Sequence, residues 1–232
     1  MVTAIIVAAG SSRRMGSDKL FAELCGKPVI AHSVAAFEAS KEIHDIILVT
    51  RKDRIPEMQA MVKAGKFKKV RKIIAGGEER HYSVWNGLQE ADAKTSYIAI
   101  HDGARPLVTP QIIHACLALA RKDGAACLAS PIPDTLKRAD NEQVVTDSVE
   151  RSGLWAMQTP QIFSRDLIFE AYVGVMSKNQ LVTDEVSAVQ GMGKKIPLLQ
   201  NEEWNFKITF PRDLELAEQV LRLRKKKASP KK

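Results

Sequence analysis

Apolar runs of strand length alternate with helix-patterned segments through the first half of the chain. The runs lie at residues 4–8, 46–50, 70–74, 97–100 and 125–129. Between them, one helical pattern begins at Pro28, and another carries Ile112, Cys116 and Leu119 at helical spacing. Strands that are apolar throughout and are separated by helices are typical of a parallel sheet covered on both faces. We therefore predict an α/β fold, a Rossmann-like three-layer sandwich with a mostly parallel central sheet.

The pattern becomes polar in the segment that follows these strands. Residues 131–138 and 143–150 have the composition of extended, solvent-facing strands, and the pair Asp140 and Asn141 between them is typical of a turn. A polar hairpin of this kind has no face to bury in a core. We therefore predict a protruding β-arm at residues 131–151.

The end of the chain combines structural signals with positive charge. Two more strands are predicted at residues 196–199 and 206–210, and a final helix begins at Pro211. The formal net charge is +8, and residues 222–232 contribute seven Lys or Arg and no acid, which leaves 8 − 7 = +1 for the rest. We predict one domain over residues 1–221, followed by a basic, disordered tail. An RNA or membrane tether is the alternative interpretation of such a tail.

Several classes of protein do not fit this sequence. No apolar run is long enough to cross a membrane, and the N-terminus lacks the basic and apolar regions of a signal peptide. We therefore expect a cytoplasmic protein. The three Cys and five His residues are scattered without metal-ligand spacing, which argues against a zinc site and against a disulfide framework.

The segment that follows the first predicted strand, residues 8–19, combines small residues with Arg13, Arg14 and Lys19. Small residues let backbone N–H groups approach an anion, and the three cations add positive charge. The segment lacks the Gly-Lys-Ser/Thr of a Walker A loop and the G-x-G-x-x-G of a dinucleotide-binding loop. Its position at a strand end favours phosphate binding, and a mobile basic loop is the alternative.

Two further strand ends carry residues that suit an anion site. Asp102 and Arg105 follow the fourth predicted strand, and the Gly76-Gly77 pair precedes a predicted helix that carries Ser83. An aspartate at this place can hold Mg²⁺ or accept hydrogen bonds from sugar hydroxyls, whereas a structural Asp102–Arg105 ion pair is the alternative. Ligands of open α/β sheets bind beyond the carboxyl ends of the strands. The three segments together therefore predict one site for phosphates.

These motifs, in this order, resemble one family of sugar-phosphate and alditol-phosphate nucleotidyltransferases, the 2-C-methyl-D-erythritol 4-phosphate cytidylyltransferases of the non-mevalonate isoprenoid pathway. The resemblance extends from about Ala4 to the final helix. It rests on Ala8-Ala-Gly with Arg14 and Lys19, Gly76-Gly-Glu-Glu-Arg with Ser83, His101-Asp-Gly-Ala-Arg-Pro, Asp134-Thr-Leu-Lys-Arg, Arg151-Ser-Gly-Leu-Trp-Ala-Met-Gln-Thr-Pro-Gln, Thr183-Asp-Glu and Asn205-Phe-Lys. Each motif alone is moderately specific, and the ordered set is highly specific.

The resemblance implies a role for each matching residue on the nucleotide side. Arg14 and Lys19 would act as catalytic residues that bind the triphosphate and stabilise charge on the α-phosphate in the transition state. The remaining positions, which would read the cytosine and hold the nucleotide, are Ala8, Ala9, Gly10, Ser11, Gly77, Glu78 and Ser83. The family usually has a second glycine where this chain has Ser12, and a proline where it has Val7. Serine tolerates a positive φ less well than glycine. The resemblance therefore does not determine how the loop turns at Ser12.

The resemblance also implies an acceptor site and a shared active site. The residues that would line the methylerythritol phosphate site are Asp102, Arg105, Thr135, Thr183 and the catalytic Lys207. Arg151, also catalytic, would reach from the arm to the substrate phosphate in the neighbouring subunit, so that the arm serves in dimerisation and a homodimer completes the site. Mg²⁺ or another divalent cation would be held mainly by the phosphates, with Asp102 as an additional candidate ligand.

The chemistry implied by the resemblance needs no catalytic base. The acceptor phosphate, with a second pKa near about 6, is already ionised at neutral pH. One alternative is the same transfer to another alditol phosphate, such as ribitol 5-phosphate. Alternatives of other classes are a nucleic-acid-binding protein acting through the basic tail and a flavodoxin-like or dinucleotide-binding oxidoreductase. The near-neutral charge outside the tail disfavours nucleic acid, and the missing G-x-G-x-x-G disfavours the oxidoreductase.

Overall fold

The computed structural model describes residues 1–10 and 18–228. Its strands are β1 (Val2–Ala8), β2 (Glu23–Leu24), β3 (Lys27–Pro28), β4 (Asp45–Thr50), β5 (Val70–Ala75), β6 (Tyr97–Asp102), β7 (Ala125–Pro131), β8 (Leu136–Ala139), β9 (Val145–Val149), β10 (Trp155–Ser164) and β11 (Leu198–Gln200). Its α-helices are α1 (Val29–Ala39), α2 (Ile55–Gly65), α3 (Arg80–Gln89), α4 (Pro110–Asp123), α5 (Arg165–Ser177), α6 (Glu185–Gln190) and α7 (Pro211–Ala228). A short 3₁₀ turn at Lys52–Arg54 precedes α2.

The boundaries of α4 show how local residues set an element. Thr109 caps the helix, since its side-chain oxygen accepts a hydrogen bond from the backbone N–H of Ile112 at 3.3 Å. Pro110 occupies the first turn, where its missing N–H costs no helical hydrogen bond. Gly124 ends the helix with φ 79°, a left-handed conformation that glycine adopts without a steric penalty.

The central sheet has seven strands in the order β11-β7-β10-β6-β1-β4-β5. β1 lies parallel to both β4 and β6, β4 lies parallel to β5, and β11 lies parallel to β7. β10 runs antiparallel to its neighbours β6 and β7. The carboxyl ends of β1, β4, β5 and β6 therefore meet at one side of the sheet, called the carboxyl edge below.

Helices cover both faces of this sheet. Side chains alternate along a strand, so that Ile5 and Ile6 of β1 are both fully buried but belong to different apolar layers. The layer that contains Ile6 includes residues of α1, α2 and α4, and the layer that contains Ile5 includes residues of α3, α5 and α6. This arrangement confirms the predicted α/β three-layer sandwich with a mostly parallel sheet.

The predicted strands before the arm correspond to β1, β4, β5, β6 and β7, and the arm is the hairpin of β8 and β9. Its turn is held by Asp140, whose Oδ1 accepts hydrogen bonds from the backbone N–H groups of Glu142 and Val144, both at 2.9 Å. Such contacts are the reason why aspartate favours turns. The strand predicted at residues 196–199 is found at Leu198–Gln200.

The strand predicted at residues 206–210 is wrong. The segment is irregular, and the backbone N–H of Ile208 donates to the carbonyl of Ala104 at 2.8 Å. Ile208 is fully buried in a third apolar cluster with Leu107 and Val220. The alternating apolar residues therefore reflect burial of one side chain beneath α7, and they do not reflect pairing with a described strand.

The predicted boundary at residue 221 also needs correction, because α7 continues through Ala228. Arg224 Nη1 donates to the carbonyl of Leu107 at 2.7 Å, and its Nη2 donates to Glu203 Oε2 at 3.0 Å. These contacts fasten the basic segment to the sheet domain, so the prediction of disorder does not hold for residues 222–228. Residues 229–232 lie outside the described part. No described helix is both long and apolar enough to span a lipid bilayer.

Candidate active site

Three loops meet at the carboxyl edge and surround a cavity of about 490 Å³. They are the described parts of the loop after β1, the loop between β5 and α3, and the loop after β6. The residues assigned to the nucleotide from the sequence that line this cavity are Ala8, Ala9, Gly10, Lys19, Gly77, Glu78 and Ser83. Asp102 and Lys207 lie on its wall as well. The structure thus brings the three strand ends together, and we call this space the first compartment.

The loop between β5 and α3 lies directly against the end of β1. A Cβ on Gly76 would stand 2.5 Å from the Cβ of Ala9 and 2.6 Å from Ser83 Oγ, so the close approach requires glycine. The next backbone N–H, that of Gly77, donates to Ser83 Oγ at 3.1 Å. Glycine at residue 76 and serine in the first turn of α3 therefore fix this wall of the first compartment.

Asp102, the last residue of β6, is buried among three cations. Arg80 Nε donates to its Oδ1 at 3.2 Å, Lys207 Nζ donates to its Oδ2 at 2.8 Å, and Arg105 Nε lies 3.7 Å from Oδ2. Burial by itself would raise the pKa of this carboxyl, but the three cations outweigh burial and hold the pKa well below its usual range. Asp102 is therefore a permanent anion that orients the cations around it.

A second cavity of about 280 Å³ adjoins the first. It is lined by Arg105 and Thr183, both assigned to the acceptor from the sequence, and it shares Arg80, Asp102 and Lys207 with the first compartment. We call this space the second compartment. The two compartments therefore meet at Asp102 and its cations. Two ligands bound side by side in these compartments would have Lys207 as a common neighbour.

His101 lies behind Asp102 and is fully buried. Burial lowers the pKa of its imidazole to about 4, so the ring is neutral at physiological pH. Its Nε2 lies 3.2 Å from the carbonyl of Arg105, and its Nδ1 lies 3.0 Å from Thr159 Oγ1. Because a carbonyl only accepts, Nε2 carries the proton and the Thr159 hydroxyl donates to Nδ1. That hydroxyl oxygen accepts the backbone N–H of Asp102 at 3.0 Å, which fixes the strand end.

Two charged residues at the site lie in the recognised motifs without an assigned role. Arg80, the first residue of α3, lines both compartments and contacts Asp102. Glu185, the first residue of α6, is fully buried and accepts Arg80 Nη1 at 2.5 Å and Nη2 at 3.0 Å. Each of these residues is the first of its helix, and a charge at the start of a predicted helix can be recognised in the sequence. The sequence carries no signal for the ion pair that joins the two residues.

The arm residues occupy a different place. Thr135 and Arg151 are exposed, and neither lines the first or the second compartment. Arg151 Nη1 contacts the carbonyl of Pro133 in the same arm. Of the residues assigned to phosphate binding in the loop after β1, Lys19 is described and lines the first compartment. Ser11 and Arg14, together with Ser12 and Arg13, lie outside the described residues.

The sequence matches the model of one protein family across nearly its whole length. Residues 2–223 match the model described as 2-C-methyl-D-erythritol 4-phosphate cytidylyltransferase. A curated relative of that description from Lachnospira eligens is 43% identical over 222 residues, which cover 94% of this chain and 97% of the relative. Another, from Caldanaerobacter subterraneus subsp. tengcongensis, is 42% identical over 225 residues, which cover 95% of this chain and 99% of the relative.

Solved structures agree with the sequence match. The 4-diphosphocytidyl-2C-methyl-D-erythritol synthase of Anaerococcus prevotii superposes with a TM-score of 0.83 at 28% identity, covering 96% of each chain. The 2-C-methyl-D-erythritol 4-phosphate cytidylyltransferase of Thermus thermophilus superposes with a TM-score of 0.79 at 28% identity, covering 94% of this chain and 98% of that one. The chain therefore belongs to the 2-C-methyl-D-erythritol 4-phosphate cytidylyltransferase family.

Proposed function

We propose that this chain transfers CMP from CTP to 2-C-methyl-D-erythritol 4-phosphate, forming 4-diphosphocytidyl-2-C-methyl-D-erythritol and pyrophosphate in isoprenoid precursor synthesis. The observation that carries the proposal is the pair of adjoining compartments that share Lys207 beside the Asp102 carboxylate, in a chain of this family. A nucleotidyltransferase must hold two phosphorylated substrates next to each other. Two neighbouring spaces with a cation between them suit that requirement.

The first compartment suits the nucleotide. Small residues at the end of β1, Ala8 to Gly10, leave room for backbone N–H groups to approach phosphate oxygens. Lys19 lines the same space and supplies a positive charge for the triphosphate. Gly77, Glu78 and Ser83 form the opposite wall, where we place the cytosine and the ribose. We propose that Arg14 joins Lys19 at the α-phosphate.

The second compartment suits the polyol phosphate. Arg105 and Thr183 line it, and Asp102 offers carboxylate oxygens to hydroxyl groups. Lys207 Nζ lies 2.8 Å from Asp102 Oδ2 and borders both spaces. We propose that this ammonium group contacts both the acceptor phosphate and the α-phosphate, so that it offsets the repulsion between the two anions as they approach.

The reaction itself requires alignment and charge screening. An oxygen of the acceptor phosphate forms a bond to the α-phosphorus of CTP, and the bond from that phosphorus to the pyrophosphate oxygen breaks. The attacking oxygen is already ionised, because the second pKa of a phosphate monoester is about 6. His101, neutral and hydrogen-bonded on both ring nitrogens, serves to hold Asp102 and takes no proton from the acceptor. Lys19, Lys207 and Arg14 stabilise the charge that develops during transfer.

We propose Mg²⁺ as the cofactor, held mainly by the phosphates of the nucleotide. Among residues 1–10 and 18–228, no group of three His, Cys, Asp or Glu side chains could hold a metal ion. Both oxygens of Asp102 already accept cationic donors from Arg80 and Lys207, which favours an orienting role for this carboxylate over metal ligation. Magnesium characteristically keeps few protein ligands beside substrate phosphates. When bound, the ion would neutralise phosphate charge and favour release of pyrophosphate.

We propose a homodimer in which the arm completes the site of the partner chain. Thr135 and Arg151 are exposed on the arm and line neither compartment of their own chain. A guanidinium that binds a phosphate must lie within hydrogen-bonding distance of it. An exposed arm can place Arg151 beside a phosphate bound in the partner chain, across a two-fold interface. Because CTP is a cytoplasmic metabolite, we propose that the enzyme works in the cytoplasm.

Release of pyrophosphate tests the proposed function. Purified protein with CTP and Mg²⁺ is expected to release pyrophosphate rapidly with 2-C-methyl-D-erythritol 4-phosphate and slowly with ribitol 5-phosphate. ATP, GTP and UTP in place of CTP serve as donor controls. Faster release with ribitol 5-phosphate would identify that compound as the acceptor. No release of pyrophosphate with either acceptor would refute the proposed function.

A further inference from the structure

We infer that Arg80 is a positioning residue, which fixes the placement of the two compartments relative to each other through its ion pair with the buried Glu185. The inference rests on the proposed function, because it assigns the two compartments to the two substrates of that reaction. It concerns a contact outside the residues to which phosphate binding has been assigned.

The guanidinium of Arg80 bridges two carboxylates. Nη1 and Nη2 donate to Glu185 Oε1 and Oε2 at 2.5 and 3.0 Å, which is the bidentate arrangement that Arg adopts with carboxylates. On its other edge, Nε donates to Asp102 Oδ1 at 3.2 Å, and Nη2 lies 3.1 Å from the same oxygen. Three nitrogens of the group therefore donate to protein carboxylates. A phosphate-gripping arginine would need its fork for the ligand, so the arrangement points to an orienting role.

Glu185 is placed to make this bridge rigid. Its side chain is fully buried and lines neither compartment. Beyond the two contacts from Arg80, its Oε1 accepts the hydroxyl of Tyr172 at 3.0 Å, and Tyr172 is itself fully buried. Burial alone would lower the pKa of the Arg80 guanidinium, but the Glu185 and Asp102 carboxylates outweigh burial and raise it. The Arg80 guanidinium therefore keeps its positive charge beside the two carboxylates.

The bridge joins elements whose neighbouring residues line different compartments. Arg80 begins α3, directly after the loop of Gly77 and Glu78 in the first compartment. Glu185 begins α6, two residues after Thr183 in the second compartment. Asp102, at the end of β6, lies between them and holds Lys207 with its other oxygen. One planar group therefore sets the spacing of the nucleotide wall, the acceptor wall and the shared cation.

Alignment of this kind affects turnover more than it affects the binding of one substrate. Each substrate retains its own ligands in its own compartment when the bridge is altered. The reacting oxygen and phosphorus must nevertheless meet in line, and a displacement of about 1 Å can cost about 10²-fold in rate. Loss of the bridge is therefore expected to lower kcat while the affinity for CTP alone changes little.

A double-mutant cycle on Arg80 and Glu185 tests the inference. We expect Arg80→Lys, which keeps the charge but cannot span both carboxylates, to lower kcat about 10²-fold. Glu185→Gln removes a carboxylate that borders neither compartment, and we expect it to lower kcat at least about tenfold. The double variant is expected to be no slower than Arg80→Lys by more than about twofold, because both changes break one contact. The dissociation constant of CTP, measured without acceptor, is expected to stay within about threefold.

Matched controls separate positioning from general destabilisation. Arg121 Nη2 and Glu42 Oε2 form a surface ion pair at 2.9 Å that borders neither compartment, and Arg121→Lys with Glu42→Gln is expected to leave kcat unchanged. Thermal unfolding establishes that each variant is folded. If Glu185→Gln fails to fold, Tyr172→Phe removes only the hydroxyl donor to Glu185, and we expect it to lower kcat about two- to fivefold.

Hydrogen exchange supplies a measurement that does not depend on turnover. In Glu185→Gln, we expect faster amide exchange in the loop at residues 76–79 as well as at residues 183–187, because the bridge joins them. A kcat within twofold of the unmodified protein in folded Glu185→Gln, additive losses in the cycle, or unchanged exchange at residues 76–79 would overturn the inference. Absence of turnover in the unmodified protein would instead refute the proposed function, and the exchange comparison would still decide whether Arg80 joins the two loops.

Discussion

The carboxyl edge and the arm both carry residues assigned to substrate phosphates, but they are built in opposite ways. At the carboxyl edge, Asp102 is buried, and three cations from different parts of the chain surround it. On the arm, Thr135 and Arg151 are exposed, and Val145 is 62% exposed at its tip. The first region is held by contacts across the whole fold, whereas the second is held by its own hairpin hydrogen bonds.

The two regions therefore differ in how far a single chain can organise them. A two-stranded hairpin without a buried face is marginally stable in water, so it cannot fix the position of a side chain by itself. Buried ion pairs and hydrogen bonds can do so, because each group would lose its only partners if it moved. We therefore expect the carboxyl edge to be organised before substrate binds, and the arm to become organised against a second chain.

The largest expected contrast is in stability. Leu48→Ala in β4 removes a fully buried side chain next to β1, and we expect it to lower the free energy of unfolding by about 2–5 kcal/mol. Val145→Ala makes a comparable change on the arm, where we expect about 0.5 kcal/mol or less. Urea unfolding of the two variants at low protein concentration measures both values. Equal losses would contradict the distinction between the two regions.

A comparable loss is expected in the reaction when the cations of the first compartment are removed. Lys19→Ala and Arg14→Ala each remove a charge that we place at the α-phosphate, and we expect kcat to fall about 10²–10³-fold while the fold persists. Lys63→Ala, on an exposed position of α2, is the control and is expected to leave kcat unchanged. Turnover near that of the unmodified protein in either variant would remove the role assigned to that residue.

The pH dependence of stability sharpens the description of the carboxyl edge. The pKa of His101 falls from 6.5 to about 4 on folding, so the unfolded chain binds the proton more tightly. The neutral ring therefore contributes fully above about pH 6.5, and up to about 3 kcal/mol is lost as the pH falls through 4. The lowered pKa of His32 acts in the same direction. Urea unfolding from pH 7 to pH 4 is expected to show a shallower pH dependence in His101→Asn than in the unmodified protein.

The smallest expected effect tests the arm. Arg151→Ala is expected to lower kcat/KM for the acceptor at least about tenfold, because one charged contact to its phosphate is lost. Mixing this variant with Lys19→Ala shows whether Arg151 serves the site of the partner chain or the site of its own chain. If Arg151 serves the partner's site, half of the dimers are mixed and each has one complete site, so activity is expected to recover to about a quarter. No recovery after subunit exchange would place Arg151 in the site of its own chain.

Much of the fold was predictable because it depends on local pattern. The runs that became β1, β4, β5, β6 and β7 are each apolar over consecutive residues, and the turn at Asp140 carries its own hydrogen bonds. The error at residues 206–210 has the opposite origin. Ile208 is buried in the fold, but the segment lies against the carbonyl of Ala104 and α7 rather than beside a strand. Neighbouring residues carry no information about that partner.

The candidate site also combines residues that the sequence predicted with contacts that it could not predict. The placement of Lys19, Ser83 and Asp102 at one edge follows from the rule for parallel strands, and the resemblance to the family adds Lys207 and Thr183. The bridge from Arg80 to Glu185 could not be predicted, because it joins residues separated by 105 positions and gains its strength from burial. The final helix was predicted to end too early, because contacts of Arg224 with Leu107 and Glu203 extend it.

The sequence by itself determined the strands before the arm, the arm, the edge at which those strands end and the charges available there, because apolar runs and turn residues act over short distances. Only the tertiary structure decided which charges meet. The sequence allowed Asp102 to be a metal ligand, a sugar contact or an ion-pair partner, and the fold buries it in ion pairs with Arg80, Lys207 and Arg105. The physical reason is that desolvation strengthens the interaction between opposite charges, and desolvation is a property of the folded chain as a whole.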